Sequence, residues 1–582
     1  MSVIIDIVIT GIKAVKVLSS QSSPCVVAFN VLHLKDWLLK LPETLQYSKQ
    51  IMDTYTKNGS LSLPANSAII DSNTRTLAVL HTIIYQAVTH LIWIISALAV
   101  VSGWIAIIDY KASLRDRKKK LNLPVLNLQA GDFGRASREW QYDYEKYMKE
   151  GYREYRHGAY QLWSPDGYVT VVSPDFLNEL KNMPDNMCDF YSGAANAVQG
   201  KHKFFDLSGK APIFALKSMM TPKLDELLPG MLEEVEYATK LLLPAETDVW
   251  HDVKISDEYA RIVGYMTGRL FFGTELNRQE DWLQGIIAFP DNVFRAARKL
   301  RRTPAPLRRL RLPFLREIQK TVFLLYKARS VLVPLLQDRT SGNEKERSDE
   351  PHLDFLQFVL EASHRESKLP TLARQSEQNM IIMLAGIHTT TIAGIHMLYD
   401  LAAMPHFIQP LRDEINGLWD ECAGHLTKAS MRKMVKLDTT FDRVITAPEG
   451  IVLSNGLHLP KGTVLTVPSS QVSMDPNVWA NPEEYDALRF AKLREVPGAA
   501  NNYQYPTSTE ESLHFGAGRH ACPGRWVSTI ENKAILSYMI RHFDFRLIDP
   551  KQGRPKNLTF GPNVSPDDSA KIAIRRIRPH MM

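Results

Sequence analysis

The chain has 582 residues, of which 45% are hydrophobic and 23% are charged, and its formal net charge is +7. Its length suffices for at least one large domain that encloses a cofactor, and its composition excludes a largely disordered chain. The four cysteines are too scattered for a disulfide framework or paired zinc knuckles, and the basic residues lack the aromatic interleaving of a nucleic-acid-binding protein.

The first 75 residues form an N-terminal extension without a clear fold pattern. The first residues of the extension are apolar, but they include Asp6. They also lack a basic N-terminal region and a cleavage site made of small residues, so the sequence does not predict a signal peptide. Asn58-Gly59-Ser60 is a glycosylation acceptor by sequence, although so short a motif also arises by chance. We expect the extension to be lumenal if the next segment spans a membrane.

A transmembrane anchor is predicted at residues 76–110. No Asp, Glu, Lys or Arg occurs from Thr76 to Ile108, and a stretch of this length can cross a bilayer. Trp93 and Trp104 are placed where aromatic rings favour the two interfaces. The alternative is a buried helix of a globular core. It is disfavoured because the segment is too long and is too rarely interrupted by helix-ending residues.

A basic block, Lys111 to Lys120 (KASLRDRKKK), directly follows the anchor. Positive charge marks the cytosolic side of a membrane helix, so everything after the block is predicted to be cytosolic. The next segment, Leu121 to Val125, contains a proline that stiffens the entry into a new domain. We therefore expect a basic and proline-containing hinge at residues 111–126 and the main domain at residues 127–582.

The main domain is predicted to be mainly α with a small β portion. Helical periodicity is clear at Met231 to Leu243, Phe314 to Val333 and Gln375 to Ala403. Strand-like runs are fewer, at Tyr168 to Val172 and within Ile451 to Val467, where turn dipeptides interrupt them. No internal repeat or long low-complexity tract is present in the sequence.

Small and hydroxylated residues are grouped within the predicted helix that begins at Gln375. Ala385 and Gly386 precede His388 and the run Thr389 to Thr391. Consecutive threonines are unfavourable inside an apolar helix, so the run indicates a local function. Taken alone, the segment is equally compatible with an ordinary core helix. A histidine can relay protons near neutral pH.

The most specific pattern is a glycine-rich loop with one cysteine, His514 to Arg525 (HFGAGRHACPGR), which precedes a helical pattern. Its glycines permit positive φ and close approach to a flat ligand, and Phe515 can shield a sulfur from water. Cys522 lies just before the helix, where free N–H groups and the helix dipole favour a thiolate. The alternatives are a buried free thiol and a zinc site with His520, for which two further ligands at suitable spacing are missing.

This loop resembles the haem-binding loop of cytochromes P-450, especially fungal ones, and by order of motifs the resemblance runs from Leu121 to the C-terminus. It implies a cytochrome P-450 fold behind a single transmembrane helix in the endoplasmic reticulum membrane. It also implies haem (iron protoporphyrin IX), with Cys522 as the axial metal ligand. Many relatives have arginine where this chain has His520, which would pair with a propionate more weakly. The other loop residues expected to contact haem are Phe515, Gly518 and Gly524.

The threonine-containing helix resembles the oxygen-activating helix of the same family. By position, Thr389 would help to deliver protons, and His388 stands where relatives have an acid. Ala385 and Gly386 would line the oxygen pocket. Arg443 resembles the family residue that pairs with a haem propionate.

The resemblance implies a haem-thiolate monooxygenase that inserts one atom of O2 into a hydrophobic small molecule. Electrons would come from NADPH through a separate NADPH–cytochrome P-450 reductase, since the sequence has no evident flavin or dinucleotide motif. The fungal resemblance suggests a tailoring step in secondary-metabolite biosynthesis, for a terpenoid or polyketide. Two alternatives stay open: a reductase-independent haem-thiolate isomerase or dehydratase, and a non-catalytic protein with a vestigial haem site.

One element of the family pattern is missing. Arg489 would pair with a Glu-x-x-Arg helix expected between Leu437 and Arg443, but only five residues lie there, and an average helix has about eleven. Either the protein is altered or inactive, or the gene model has lost a piece between Leu437 and Phe441, and the intact flanks favour the second. As written, the chain should leave Arg489 buried and unpaired, at a cost of about 3–5 kcal/mol.

Overall fold

The structure is a computed structural model that divides the chain into two compact units, Met1–Ser102 and Gly103–Met582. Asn58, most of the N-terminal extension and the expected position of the Glu-x-x-Arg helix lie outside the described residues. The residues that the structure describes are 72–117, 119–199, 209–341, 352–421, 443–484, 486 and 488–578.

Helix α1 (Ser72–Arg117) contains the predicted anchor. Its part Val88–Arg117 is long and apolar enough to cross a membrane, and its most apolar window is not buried. Trp93 and Trp104 are 55% and 38% exposed. The helix continues into the basic block, because lysine and arginine are good helix formers and their charges suit a helix C-terminus. The first part of the predicted hinge is therefore helical.

The second unit is mainly helical, as the sequence predicted. The three predicted helices are present, and the first begins at Leu224, before the predicted Met231, so that Pro229 lies inside it. The helices are α2 (Phe133–Tyr142), α3 (Tyr144–Glu154), α4 (Leu177–Leu180), α5 (Phe190–Ala197), α6 (Ala211–Phe214), α7 (Leu224–Leu242), α8 (Ile255–Leu276), α9 (Glu280–Arg301), α10 (Arg308–Arg311), α11 (Arg316–Thr340), α12 (Phe355–Ser363), α13 (Leu372–Ala403), α14 (Ile408–Glu421), α15 (Ser469–Ser473), α16 (Arg489–Arg494) and α17 (Arg525–His542).

The β portion is small and lies in the same unit. A five-stranded sheet has the order β1-β2-β8-β5-β3, a three-stranded sheet has the order β4-β12-β9, and β6-β7 and β10-β11 are two-stranded. The strands are β1 (Ala159–Ser164), β2 (Gly167–Val172), β3 (Cys188–Asp189), β4 (Trp250–Val253), β5 (Arg443–Ile445), β6 (Ile451–Val452), β7 (His458–Leu459), β8 (Val464–Thr466), β9 (Phe543–Leu547), β10 (Asn557–Phe560), β11 (Asn563–Pro566) and β12 (Ile572–Arg576).

The five-stranded sheet joins distant parts of the chain. Strand β2 pairs in parallel with β8, so that Val169 lies opposite Val464. Strand β5 lies between β8 and the edge strand β3, which places Arg443 near Cys188. All six residues of β2 are buried.

Helix α13 is the central element of the largest hydrophobic core. It packs against α8, α9, α11, α12 and α17. Its apolar residues lie on all sides, which is typical of a helix buried within a domain. The helix begins after Thr371, whose hydroxyl accepts a hydrogen bond from the N–H of Arg374, and it ends just before Pro405. This packing fixes the threonine-containing segment in the interior.

Asp166, in the turn between β1 and β2, binds the C-terminal end of α9 through hydrogen bonds. The Asp166 carboxylate accepts hydrogen bonds from Arg301 Nε at 3.1 Å, Arg308 Nη1 at 2.5 Å and Gln199 Nε2 at 2.8 Å. Arg301 also donates to the Asn196 carbonyl at 2.9 Å. The ends of α5 and α9 are thereby held against the sheet.

Candidate active site

Cys522 ends a tight loop directly before α17. Its N–H donates to the Phe515 carbonyl at 2.7 Å, and its carbonyl accepts from Arg525 Nη1 at 2.9 Å. Gly516 and Gly518 have φ of +70° and +66°, a region that favours glycine. These bonds fix the cysteine on the wall of a large cavity.

A glycine is required at position 518 because two loops approach each other closely there. The Arg519 N–H donates to the Lys181 carbonyl at 3.1 Å, which brings this loop against the end of α4. A Cβ atom at Gly518 would stand 2.2 Å from the Lys181 carbonyl oxygen, whereas one at Gly516 would meet no atom closer than 3.8 Å. The two glycines share a backbone conformation but not a steric environment.

Opposing influences act on the Cys522 thiol. Burial raises its pKa most strongly, whereas the N–H groups of Gly524 and Arg525 and the charges of Arg525 and Lys217 lower it. The sequence predicted that the helix N-terminus favours a thiolate, and this contribution is present. Because burial outweighs it, the pKa of the Cys522 thiol stays above its ordinary value.

The cysteine loop and α13 line one cavity of about 3130 Å³. Pockets for drug-sized ligands measure about 300–1,000 Å³, so this volume has room for a flat cofactor and a substrate. Of the predicted site residues, Gly518 alone is not on its wall. Those that line it are Ala385, Gly386, His388, Thr389, Arg443, Phe515, His520, Cys522 and Gly524.

Open space lies beside α13 in its threonine-containing segment. A Cβ atom at Gly386 would have no neighbour within 4 Å, and Ala385 is exposed to the cavity. The Thr389 hydroxyl donates to the Ala385 carbonyl at 2.7 Å. Its oxygen can therefore still accept a hydrogen bond from a cavity ligand.

His388 is neutral near pH 7. Its ring stacks on Phe294 of α9, with ring centroids 4.8 Å apart. Burial lowers its pKa to about 4, although Asp291 acts in the opposite direction. The sequence did not indicate this shift in pKa, because sequence position does not show how deeply a side chain is buried. A proton-relay role for His388 stays a prediction. As a neutral ring it can still donate one hydrogen bond and accept another.

Arg443, which was predicted to pair with a haem propionate, lines the cavity, but its guanidinium already has protein partners. Its Nη1 donates to the Leu180 carbonyl at 2.6 Å and its Nη2 to the Ala517 carbonyl at 3.3 Å. Burial lowers its pKa, and the nearby Cys188 opposes that effect. Arg443 thus also ties the sheet to the cysteine loop.

His520 has an acidic neighbour that the sequence did not indicate. Its Nε2 lies 2.6 Å from Oδ1 of Asp185, and its ring stacks on Phe190 with centroids 5.5 Å apart. Burial lowers the pKa of His520, whereas Asp185 raises it. Asp185 and a ligand carboxylate would compete for the same ring nitrogen.

A buried carboxyl group near the site also escaped sequence analysis. Glu531 of α17 is 2% exposed and accepts hydrogen bonds from Thr267 Oγ1 at 2.9 Å and Thr390 Oγ1 at 3.2 Å. Burial raises its pKa to about 7. The sequence signal that could have indicated this buried carboxyl group is a glutamate within the apolar pattern of α17.

The expected unpaired charge at Arg489 is not observed. Its guanidinium donates to the carbonyls of Asn481 at 2.8 Å and Glu484 at 2.7 Å, and also to that of Ala480. The side chain is only partly buried. The predicted cost of a buried unpaired charge was therefore wrong, because carbonyl groups of the same segment satisfy the guanidinium.

The chain is similar to cytochromes P-450 over most of its length. The sequence model of the cytochrome P-450 family matches residues 213–572. A cytochrome P-450 monooxygenase of Emericella nidulans is 30% identical over 452 residues, 74% of this chain and 82% of the relative. The cytochrome P-450 monooxygenase braC of Annulohypoxylon truncatum is 27% identical over 478 residues, 79% of this chain and 94% of the relative. The cytochrome P-450 monooxygenase paxP of Penicillium paxilli is 28% identical over 452 residues, 73% of this chain and 84% of the relative.

Proposed function

Because this chain belongs to the cytochrome P-450 family, we propose that it is a haem-thiolate monooxygenase that inserts one atom of O2 into a hydrophobic small molecule. The observation that carries the proposal is Cys522, which a glycine-rich loop fixes on the wall of a large cavity that the threonine-containing segment of α13 also lines. The fungal relatives are named as monooxygenases, which supports a tailoring step in fungal secondary metabolism.

The residues around the cavity suit haem. Cys522 offers a sulfur, Gly386 leaves open space, and Arg443 and His520 offer nitrogen donors for carboxylates. Bound haem would supply an iron that activates dioxygen, with the thiolate donating electron density. Cys522 would ligate the iron, and Phe515 would exclude water from the sulfur.

Thr389 and His388 are proposed to serve the oxygen reaction from α13. The Thr389 hydroxyl donates to the Ala385 carbonyl, so its oxygen would accept a hydrogen bond from a cavity ligand, and its own proton would reach that ligand once the hydroxyl rotates away from the carbonyl. His388 would act as a neutral donor and acceptor because its pKa is about 4. Ala385 and Gly386 would leave room for O2.

Electrons are proposed to reach this chain from NADPH through a separate reductase. Arg519 and Lys217 are exposed beside the cysteine loop, and Lys217 Nζ lies 3.5 Å from the Arg519 carbonyl. A basic surface so close to the proposed iron ligand suits an acidic electron donor. Mixing experiments at rising salt concentration test this, since an electrostatic complex weakens with ionic strength.

Localisation in the endoplasmic reticulum membrane is proposed from α1. Its apolar part is long enough to span a bilayer and its basic end would stay in the cytosol with the second unit. Fractionation of cells expressing the full chain, with alkaline washing of membranes, tests the anchor. Protease protection of the second unit tests its side of the membrane.

The function is tested by two measurements on the purified full chain. A reduced carbon-monoxide difference spectrum with the Soret band far to the red indicates thiolate-ligated haem and excludes a vestigial site. Product formation that needs both NADPH and added reductase favours the monooxygenase. Turnover without reductase favours an isomerase or dehydratase instead.

Changing Thr389 to Ala is expected to separate electron use from product formation. If the hydroxyl delivers protons, product formation should fall by about 100-fold, within the usual range for positioned proton transfer, while NADPH consumption continues. Thr391→Ala is the control, because its hydroxyl has no hydrogen-bond partner among the described residues and also lies on the cavity wall. Equal losses in both variants would contradict a special role for Thr389.

Additional coding sequence is expected between Leu437 and Phe441. Lys533 of α17 is 4% exposed and its Nζ has no hydrogen-bond partner in the described part of the chain, while burial lowers its pKa to about 7. A buried amine of this kind needs an acidic or polar partner. A transcript spanning this region is expected to encode a Glu-x-x-Arg helix. A transcript of the short form would favour an altered or inactive protein.

A further inference from the structure

His396 of α13 lines the cavity as a neutral imidazole. It is only 9% exposed. Burial lowers its pKa to about 4, and the positive charge of Arg554 acts in the same direction. Near pH 7 one ring nitrogen of His396 therefore carries a proton, and the other can only accept a hydrogen bond.

Arg554 decides which ring nitrogen carries the proton. Its Nη2 lies 2.9 Å from Nδ1 of His396. A guanidinium has hydrogen-bond donors and no acceptor, so Nδ1 accepts this bond and the proton is on Nε2. The ring of His396 thus has one fixed N–H donor, at Nε2.

Other residues of the cavity wall hold Arg554 in place. Its Nη1 donates to Asn557 Oδ1 at 2.8 Å, and its Nε donates to the Asp400 carboxylate. Asp400 belongs to α13 and Asn557 begins β10, so this network joins the helix to the β10–β11 hairpin. Because Arg554 is paired with Asp400 and His396 is neutral, the three side chains together carry no net charge.

Nε2 of His396 lacks a protein partner of its own. Within the ranges that the structure describes, no group accepts a hydrogen bond from this nitrogen. A buried donor without an acceptor is costly, and a phenylalanine of similar shape would avoid that cost. Packing alone therefore gives no reason for a histidine here, and its N–H group is available to a molecule in the cavity.

His396 lies two helical turns beyond Thr389, which marks the proposed oxygen pocket. Seven residues of an α-helix rise by about 10 Å and return to nearly the same face. Ala393 lies between the two residues and also lines the cavity, and its small side chain leaves space along the helix. A molecule bound along this wall would have one part at Thr389 and another, about 10 Å away, at His396.

We propose that Nε2 of His396 binds a carbonyl oxygen of the substrate, about 10 Å from the carbon atom that is oxidised. This inference rests on the monooxygenase function proposed above and narrows its substrates to apolar molecules with a neutral acceptor oxygen. A carboxylate fits less well, because Arg554 is already paired with Asp400 and offers it no free charge. Arg554 is a positioning residue, since it acts only through the ring of His396.

The affinity for two matched ligands tests this contact on the purified full chain with haem. The probes are androstanone, a rigid four-ring ketone, and androstane, its parent hydrocarbon, and their binding is followed by the shift of the Soret band. The ratio of ketone affinity to hydrocarbon affinity should fall about tenfold in His396→Phe, because the variant has no N–H group for the carbonyl.

Two further variants separate hydrogen bonding from packing. His396→Gln should keep most of the ketone preference, because its amide oxygen can accept from Arg554 while its amide N–H faces the cavity. Met397→Leu is the matched control, since Met397 also lies on the cavity wall but has no N–H group in its side chain. Its affinity ratio should equal that of the wild type.

Infrared spectroscopy of bound, isotope-labelled androstanone detects the hydrogen bond directly. Donation from Nε2 weakens the C=O bond of the ketone. The C=O stretch should therefore lie at lower frequency in the wild type and in His396→Gln than in His396→Phe. A purely structural role of His396 would not shift this band.

The outcomes separate the two proposals. An equal fall of the affinity ratio in His396→Phe and in either His396→Gln or Met397→Leu would assign His396 a packing role and overturn the contact. A normal haem-thiolate spectrum without ketone binding, or with an unchanged ratio and C=O stretch in His396→Phe, would overturn the contact alone. Absence of the haem-thiolate spectrum from the wild type would overturn the monooxygenase function and the contact with it.

Discussion

Changing Cys522 to alanine is expected to abolish the red-shifted band of the reduced carbon-monoxide complex. The affinity for haem should fall by at least about 100-fold, because even residues that only orient a metal ligand contribute about 10- to 100-fold to metal affinity. The Cys522 sulfur lies on the cavity wall, where it can bind the haem iron. The loop itself should survive, because its hydrogen bonds join main-chain groups of Cys522 and Phe515. Haem content and the difference spectrum of the purified variant are the measurements.

Cys188→Ala is the matched control for this experiment. Cys188 is also a free cysteine, but it is fully buried inside the sheet and is not on the cavity wall, whereas Cys522 is half-buried on that wall. It should lower stability slightly and leave the spectrum unchanged. Retention of the spectrum in Cys522→Ala, or its loss in both variants, would contradict Cys522 as the iron ligand.

Gly518→Ala is expected to unfold the cysteine loop and release haem. Its Cβ would stand 2.2 Å from the carbonyl oxygen and 2.7 Å from the carbonyl carbon of Lys181, and backbone atoms cannot move aside as a flexible side chain can. Left-handed backbone strain of about 1–2 kcal/mol adds to overpacking of about 1–3 kcal/mol. Urea unfolding of the variant and its rate of haem loss measure the effect.

Gly516→Ala separates strain from steric conflict. Gly516 has a similar φ, but a Cβ there would meet nothing closer than 3.8 Å, so only the strain of about 1–2 kcal/mol is expected. Gly518→Ala should therefore lose clearly more stability than Gly516→Ala. Equal losses in the two variants would show that contact with Lys181 is unimportant.

The sequence alone predicted the features that depend on residues close together in the chain. The cysteine loop could be recognised because its glycines, phenylalanine and cysteine act within twelve residues, and the main helices could be recognised by their apolar periodicity. The pairing of β2 with β8 could not, since neither strand indicates its partner. The sequence also did not indicate that α7 begins at Leu224 with Pro229 inside the helix, where proline is unfavourable.

The parts of the site that were missed depend on burial and distant neighbours. Asp185 reaches His520 from another segment, and Thr267, more than 250 residues before Glu531, supplies one of its hydrogen bonds. The low pKa of His388 comes from burial beneath Phe294. None of these contacts leaves a periodic or spaced pattern in the sequence.

The parallel pairing of β2 with β8 has a consequence for biosynthesis. The partner of Val169 is Val464, about 300 residues further along, and a ribosome needs roughly 15–60 s to make that length at about 5–20 residues per second. All six residues of β2 are buried in the folded protein. During this interval, however, one edge of β2 has no neighbouring strand with which to form hydrogen bonds. The nascent chain therefore exposes an apolar, aggregation-prone strand until its C-terminal part emerges, and chaperone supply should limit the yield of this protein in a foreign host.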